Sequence, residues 1–437
     1  MRLLLPLLLI ISSFASTAWA QEAGAPKESF IWLDRGSDKA LPLGLPAFVA
    51  RGDDAGLGAV AHEVVRRDLE LSGYFSLLDP KADLEPEGSG VEPGSFEFAA
   101  WRVPGAVGLV KAAVEVEAGR IAVELHVYDV DGGVEIAAKR IAGAQEDLRY
   151  VSHRVANAVV QAFTGSPGIF DTRIVAVADF GRGKEIYVLD WDGAARRGVS
   201  RNGSINLSPA WSPDGKKISY TSYRDNNPDL WMTNLETGRH TKVSAQPGLN
   251  SGGEWNPQGG ELVLTLSKDR DSEIYVVDPQ GSILRRLTRQ LGIDVSPTYS
   301  PDASKVAFVS SRNGTPQIFA MKTDGSDVVR LTHLGGHNVS PAFSPDGLRI
   351  AFAGRDEGRF DVFVMDVDGS GLRRLTQSPG DDEDPTWSPD GRHILFSSSR
   401  EGGAKQLYIM TADGEGQTRI TDGAGSYSNP MWGPSPQ

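Results

Sequence analysis

Versions of the segment Ser208-Pro-Ala-Trp-Ser-Pro-Asp-Gly215 recur through the second half of the chain, and this recurrence is the main indication of the fold. The aromatic residue of this phrase returns every 44 or 45 residues, and a second aromatic residue repeats in phase with it. The first set is Trp211, Trp255, Tyr299, Phe343, Trp387 and Trp432, and the second set is Tyr187, Trp231, Tyr275, Phe319, Phe363 and Tyr408. Two aromatic sets that share one period over six copies indicate a repeat architecture.

Each repeat predicts four short strands. In Ser-Pro-Asp-Gly, proline presets φ at the second turn position and glycine suits the fourth, so the phrase is typical of a type I turn between two strands. In the first complete repeat, residues 217–222, 230–235 and 241–244 supply the second, third and fourth strands. Four strands in about 44 residues make one propeller blade, and such blades bury their faces only by stacking around an axis.

The two ends of the repeat region predict that the ring closes on itself. Residues 173–177 resemble a second strand without its first, and residues 429–434 resemble a first strand with nothing after it. The two fragments together complete one blade. We therefore predict an all-β six-bladed β-propeller over residues 170–434.

A small α/β domain is expected before the propeller, over residues 22–165. Apolar residues in 57–65 and 148–163 follow the helical period, and a glycine follows each of these segments. Residues 110–116, 121–128 and 134–141 predict a β-meander between the two helices.

The N-terminus is typical of an exported protein. One arginine precedes an apolar run from Leu3 to Ile11, and Ala18-Trp19-Ala20 fits the small-x-small cleavage pattern. This predicts a signal peptide at 1–20 that is cleaved after Ala20. The apolar run is too short to span a bilayer, so we expect a periplasmic chain that is not inserted in a membrane.

Composition argues against several classes of function. The 437 residues carry 57 Asp and Glu against 44 Lys and Arg, and a net charge of −13 argues against a nucleic-acid binder. The absence of cysteine excludes disulfides, thiolate zinc sites and cysteine nucleophiles. Neither Gly-x-Ser-x-Gly nor His-Glu-x-x-His occurs, so we predict neither an enzyme nor a cofactor. The acidic run 381–384 offers oxygen ligands for Ca²⁺ near the propeller channel, and a solvated acidic surface is the alternative.

The combination of signal peptide, α/β domain and six blades resembles the TolB family, the periplasmic component of the Tol–Pal envelope system of Gram-negative bacteria. Three stretches of the first domain carry the resemblance further: Leu45-Pro-Ala-Phe48, Asp68-Leu-x-x-Ser-Gly-x-Phe75, and Leu148-Arg-Tyr150 through Phe163-Thr-Gly165. The similarity covers about Ile31 to Pro434. The segment 21–28 departs from it, because it does not match the N-terminal strand of the family.

The resemblance implies a non-catalytic adaptor that binds the peptidoglycan-associated lipoprotein Pal on one propeller face. It also implies contact with TolA through the mature N-terminal segment, and a monomer that works inside a larger complex. The implied role is to maintain outer-membrane integrity and to draw that membrane inward during division. Two alternatives are an exported propeller that binds or processes a peptide or carbohydrate, and a peptidoglycan-layer spacer without a specific partner.

The candidate partner-binding residues lie at the expected mouth of the propeller channel. Five residues before each aromatic of the first set stands a residue of the loop that enters the innermost strand, and five of these six residues are Asn or Asp. The candidates, with their neighbours, are Asn206, Asn250, Asp294, His337, Asn338, Asp382, Glu383 and Tyr427. The alternative is that Asn and Asp serve turn chemistry there. Four cations, Arg224, Lys268, Arg312 and Arg400, are expected at the opposite rim, as solvated groups in hairpins.

Overall fold

The computed structural model describes residues 40–51, 55–78 and 88–436. The expected signal peptide, its cleavage site and the segment 21–28 lie outside these residues. Within the described part of the chain, no helix is long and apolar enough to cross a membrane.

The first domain is built on a six-stranded sheet of order β3-β1-β4-β5-β6, with β2 also paired to β4. Its elements are β1 (Leu41–Gly44), β2 (Val49–Arg51), α1 (Ala55–Leu71), β3 (Phe75–Leu77), α2 (Phe98–Arg102), β4 (Gly108–Glu117), β5 (Arg120–Asp129), β6 (Val134–Ala144) and α3 (Leu148–Thr164), with a 3₁₀ turn at Gln145–Asp147. Strands β4, β5 and β6 form the predicted antiparallel meander, whereas β1 pairs in parallel with β3 and β4.

Helices α1 and α3 cover one face of this sheet because their apolar residues recur at helical spacing. Val65 and Leu69 of α1 and Val155 of α3 are fully buried in one core with the sheet. Helix α3 ends at Gly165, which adopts the left-handed conformation with φ 73° and donates its N–H to the carbonyl oxygen of Gln161. Glycine is favoured in this conformation because it has no Cβ, so the sequence signal for the helix end is confirmed.

The rest of the chain forms six antiparallel sheets of four strands each. The strands are β7 (Arg173–Asp179), β8 (Lys184–Asp190), β9 (Arg197–Gly198), β10 (Asn206–Trp211), β11 (Lys217–Ser222), β12 (Asp229–Asn234), β13 (His240–Ser244), β14 (Asn250–Trp255), β15 (Leu262–Asp269), β16 (Asp271–Val277), β17 (Ile283–Arg286), β18 (Asp294–Tyr299), β19 (Lys305–Ser310), β20 (Gln317–Lys322), β21 (Val329–Arg330), β22 (Asn338–Phe343), β23 (Arg349–Asp356), β24 (Arg359–Asp366), β25 (Arg373–Arg374), β26 (Asp382–Trp387), β27 (His393–Ser398), β28 (Gln406–Thr411), β29 (Thr418–Arg419) and β30 (Ser426–Trp432).

These sheets are the blades of the predicted propeller, and the predicted fold class is confirmed. Blades 1 to 5 follow the chain from β10 to β29, and we call their strands A to D, with A innermost. Blade 6 is formed by both ends of the region, because β30 is its strand A and β7, β8 and β9 are its strands B to D. Tyr427 lies opposite Ala178, and Trp432 lies opposite Ile174. The ring is therefore closed by strand pairing, as predicted.

The aromatic residues that revealed the repeat end each strand A. All six are at most 9% exposed. Burying an aromatic side chain contributes roughly 1.5–3 kcal/mol, so this set is a substantial part of what holds neighbouring blades together.

The propeller has two rims that differ in their surroundings. We call the rim made by the D–A loops and B–C turns the open rim, and the rim made by the A–B and C–D turns the closed rim. The α/β domain packs on the closed rim, where the guanidinium of Arg392 lies 4.1 Å above the ring of Tyr74. The open rim is on the opposite side of the ring.

Candidate functional site

Each strand A contains a β-bulge at the start of the repeat phrase. Its pairing with strand B shifts by one or more residues there, for example between Leu207 and Ala210 in blade 1. The bulged residue has a left-handed φ between 44° and 86° in all six blades: Ser208, Gly252, Ser296, Ser340, Asp384 and Asn429. Such conformations cost about 1 kcal/mol or more for a residue with a side chain, and bulges commonly re-aim side chains next to functional sites. The sequence predicts only a strand and a turn for this phrase, and the bulge is an addition that the structure shows.

The bulged strands line a central channel of about 550 Å³ that is formed by all six blades. Two carboxyl groups face it. The carboxylate of Asp384 accepts hydrogen bonds from the backbone N–H and the side-chain amide of Asn429 (3.1 and 3.0 Å) and from the hydroxyl of Ser340 (3.1 Å). The carboxyl of Glu254 accepts from the hydroxyl of Thr298 at 2.8 Å. Burial within the ring raises the pKa of Glu254 to about 7, against the effect of its hydrogen bonds.

The six predicted residues at the start of strand A lie on the open rim, but their side chains are buried inside it. Asn206, Asn250, Asp294, Asn338, Asp382 and Tyr427 are each at most 3% exposed. Asn250 shows what they do. Its amide nitrogen donates to the carbonyl oxygens of Gln246 and Gly248 at 2.8 and 3.0 Å, and its oxygen accepts from the hydroxyl of Ser244 at 2.7 Å. This geometry is the turn chemistry that is the alternative to partner binding, and it fixes the shape of the rim.

The predicted placement of the cations at the opposite rim is wrong. The guanidinium of Arg312 donates to Asp294 at 2.9 Å, and that of Arg400 donates to Asp382 at the same distance. Strands A and B are antiparallel, so the end of B lies beside the start of A, and Asp294 pairs with Ser310. The cations therefore stand on the open rim with the candidate residues, where they neutralise two buried carboxylates.

The acidic run 381–384 does not converge on one point. Asp381 accepts the backbone N–H of Phe360 at 2.9 Å, and Glu383 forms an ion pair with Lys405. Asp382 turns to the rim arginine and Asp384 to the channel. In a regular strand these two side chains would share one face, and the bulge at Asp384 re-aims its side chain. Calcium binding in the channel stays a prediction. The remaining candidate, His337, is half-buried and its ring contacts that of Phe360 edge-on at 5.4 Å.

Exposed aliphatic residues on the open rim were missed by the sequence analysis. Ile205 and Ile293 stand directly before the first residue of strand A and are 46% and 56% exposed. Leu291 and Leu334, at the tips of the D–A loops, are 87% and 71% exposed. Leu249 occupies the position of Ile205 in blade 2 and lines the channel. The available signal was the aliphatic residue before the rim Asn or Asp in three successive repeats.

The open rim therefore has two unlike parts. Blades 1, 3 and 4 present the exposed aliphatic residues, and Leu249 of blade 2 is half-buried, whereas blade 5 presents Asp381 and Glu383 beside Lys405. The loops that carry both parts are held by buried hydrogen bonds. A rigid rim with an apolar part and a charged part is suited to a protein partner, since such interfaces combine an apolar centre with a polar surround.

Both parts of the chain match known family models. The model described as TolB beta propeller domain matches residues 160–435, and the model described as TolB amino-terminal domain matches residues 30–136.

Individual relatives agree with these models. The chain is 40% identical over 208 residues to the Tol-Pal system protein TolB of Anaeromyxobacter dehalogenans, across 47% of this chain and 48% of that protein. It is 40% identical over 210 residues to the protein of the same name from Desulfosudis oleivorans, with 47% and 48% covered. The chain thus spans about half the length of the curated relatives it matches. The crystal structure of TolB from Acinetobacter baumannii is similar with a TM-score of 0.80 and 28% identity, over 91% of this chain and 97% of that one.

Proposed function

The chain belongs to the TolB β-propeller family, and we propose on this basis that it is a non-catalytic, periplasmic adaptor of the Tol–Pal cell-envelope system. In this proposal the open rim binds the lipoprotein Pal, and the mature N-terminal segment contacts TolA. The adaptor supports outer-membrane integrity and the inward movement of that membrane during division. The names of the curated relatives and the match of both family models support the proposal.

The observation that carries the Pal assignment is the cluster of exposed aliphatic side chains on the open rim. Single exposed aliphatic residues are ordinary on a protein surface, but several around one opening are typical of an interaction site. The loops beneath them are fixed by Asn250 and its equivalents, so little conformational entropy would be lost on binding. The α/β domain leaves this rim free because it packs on the other one.

Two leucines of blade 4 provide a matched test of the Pal assignment. Leu334 lies on the open rim and is 71% exposed, whereas Leu348 lies in the A–B turn of the same blade and is 64% exposed. We expect Leu334→Ser to weaken binding of the Pal periplasmic domain about tenfold or more, because an interface residue of this size contributes more than 1 kcal/mol when it is central. Titration calorimetry measures this change. Leu348→Ser should bind as the wild type does. Equal affinities of the two variants would contradict the assignment of the rim.

The TolA part of the proposal concerns residues outside the described ranges. Deleting residues 21–39 from the mature chain should abolish binding to the TolA periplasmic domain and leave Pal binding unchanged. Loss of both interactions, or of neither, would argue against separate sites for the two partners.

The channel favours a second candidate function, the binding or processing of a peptide or carbohydrate. Its volume of about 550 Å³ and the carboxyl groups of Glu254 and Asp384 suit a small ligand with a cationic end. A screen for turnover of peptides and glycosides separates this candidate from an adaptor, since the adaptor predicts no turnover. Calorimetry with Ca²⁺ tests the expected calcium site in the same channel.

A further inference from the structure

The turn between β8 and β9 of blade 6 differs from the same turn in every other blade. It reads Asp190-Trp191-Asp192-Gly193, and Trp191 is fully buried. The residues at the position of Trp191 in blades 1 to 5 are Leu235, Pro279, Thr323, Val367 and Ala412, and all of them are partly exposed. A large aromatic side chain in one turn of six requires a partner outside the propeller repeat.

The partner is the α/β domain. The indole N–H of Trp191 donates to one carboxylate oxygen of Asp68 on α1 at 2.8 Å. The indole ring lies 5.0 Å from the ring of Phe170 in the connection between the domains and 6.3 Å from that of Trp432 in β30. Trp191 thus enters the α/β domain from the closed rim and is enclosed by three elements.

Charged groups surround this contact and are paired across the interface. Arg149 of α3 donates to Asp190 at 3.0 Å and to Asp192 at 2.7 Å. His153 of α3 donates its Nδ1–H to the second oxygen of Asp68 at 2.7 Å, and its Nε2 lies 3.5 Å from Asp190. Three carboxylates therefore face one guanidinium and one imidazole, so a protonated imidazole balances the site better than a neutral one.

The pKa values of His153 and Asp68, the two buried partners, are both raised at this site. Burial alone would lower the pKa of His153, but the hydrogen bonds and charges of Asp190 and Asp68 raise it to about 9. Burial raises the pKa of Asp68 to about 6, and the hydrogen bonds from His153 and Trp191 oppose that rise. At pH 7 both groups are therefore charged.

The ligand atoms of Asp68, His153 and Asp192 are close enough for a metal ion, yet each is already engaged with a donor or a carboxylate of this network.

We propose that the turn 190–193 is an interdomain latch that holds the α/β domain on the closed rim through Trp191 and the paired charges of Asp68, Arg149, His153, Asp190 and Asp192. The latch restrains the connection 165–172, where Phe170 is 2% exposed and its backbone N–H is bonded to the side chain of Asn157 at 2.9 Å. Opening the latch releases the domains from each other and exposes this connection. Because charged His153 is favoured in the closed state, its contribution to closure is complete below pH 6.5 and is lost as the pH rises through about 9.

The first test compares two variants of the mature chain by limited proteolysis and small-angle scattering. Each variant has one substitution, and the two substitutions lie at the same position of two equivalent turns. Trp191→Ala removes the latch, and Val367→Ala truncates the same turn position in blade 4, where the side chain packs only within the propeller. We expect cleavage within 165–172 to be at least tenfold faster in Trp191→Ala than in the wild type, with a larger radius of gyration. Val367→Ala should show neither change. Equal cleavage rates and radii for both variants would overturn the proposal.

A second test holds even where Trp191→Ala fails to fold. Scattering of the wild type between pH 7 and 10 should show the radius of gyration increasing, whereas His153→Gln should have the larger radius at pH 7 already and change little with pH. Measurement above pH 7 separates the titration of His153 from that of His393 at the same interface, because burial lowers the pKa of His393 below its usual value. A wild-type radius that stays constant to pH 10, or a His153→Gln variant that matches the wild type at every pH, would overturn the latch.

Discussion

The close packing of neighbouring blades makes a sharp prediction at Gly281, in the C–D turn of blade 2. Its φ is +90°, and a Cβ placed there would lie 1.8 Å from the carbonyl oxygen of Val243 in strand D of blade 1. Such contacts are essentially never shorter than 3.0 Å, so Gly281→Ala must move one blade against the next by more than 1 Å.

The expected cost has two parts. A non-glycine residue in the left-handed region costs about 1–2 kcal/mol, and overpacking against a fixed backbone costs about 1–3 kcal/mol more. We therefore expect Gly281→Ala to lower the free energy of unfolding by about 2–5 kcal/mol. That loss is a large fraction of the 5–15 kcal/mol typical of a domain.

A second glycine of the same blade distinguishes the conformational cost from the cost of overpacking. Gly259 has φ +78°, and a Cβ placed there meets nothing within 4 Å. Gly259→Ala should therefore cost only the conformational 1–2 kcal/mol. Urea unfolding followed by tryptophan fluorescence measures both variants on one scale. If the two substitutions lowered stability equally, the carbonyl of Val243 could not lie as close to Gly281 as the structure places it.

Two further predictions concern ring closure and the channel. Truncation after Gly425 removes β30 and with it the buried side chains of Tyr427 and Trp432, each of which contributes roughly 1.5–3 kcal/mol by burial. The truncated chain should therefore lose cooperative thermal unfolding, and an unchanged melting temperature would contradict closure by β30. The folded-state pKa of Glu254 is about 7, above its ordinary value of 4.5, so the wild type should lose about 1–3 kcal/mol of stability as the pH rises from 4.5 to above 7. Glu254→Gln should remove most of this loss. Urea midpoints at pH 5 and pH 8 that changed equally in both proteins would contradict the role of Glu254.

The propeller could be predicted from the sequence because the same buried contact occurs in each of six repeats. Each buried aromatic of strand A sits in an equivalent position, so Trp211 and Trp432 appear in phase although they are far apart in the chain. Ring closure followed from the two incomplete repeats. In the α/β domain, α3 and the meander were evident from local periodicity, whereas β1 was missed because its four residues, Leu41–Gly44, form a strand only by pairing with β3 and β4.

The site was less predictable because it depends on where side chains point. The sequence placed the Asn and Asp residues at the start of strand A in five blades, but it did not show that the side chains of Asn250 and its equivalents turn inward. The cations were misplaced because we did not apply the antiparallel pairing that brings Arg312 beside Asp294. The interdomain contact of Trp191 was invisible for a similar reason, since Asp68 lies 123 residues away along the chain.

Hydrogen–deuterium exchange of the mature chain, with and without its Pal periplasmic domain, tests whether the open rim is the partner surface. We expect slower exchange on binding in the D–A loops of the open rim, at residues 290–294 and 334–338 above all. Exchange in the A–B turns of the closed rim should not change. Protection confined to the closed rim or to the α/β domain, or no protection at saturating Pal, would contradict the assignment of the open rim as the partner surface.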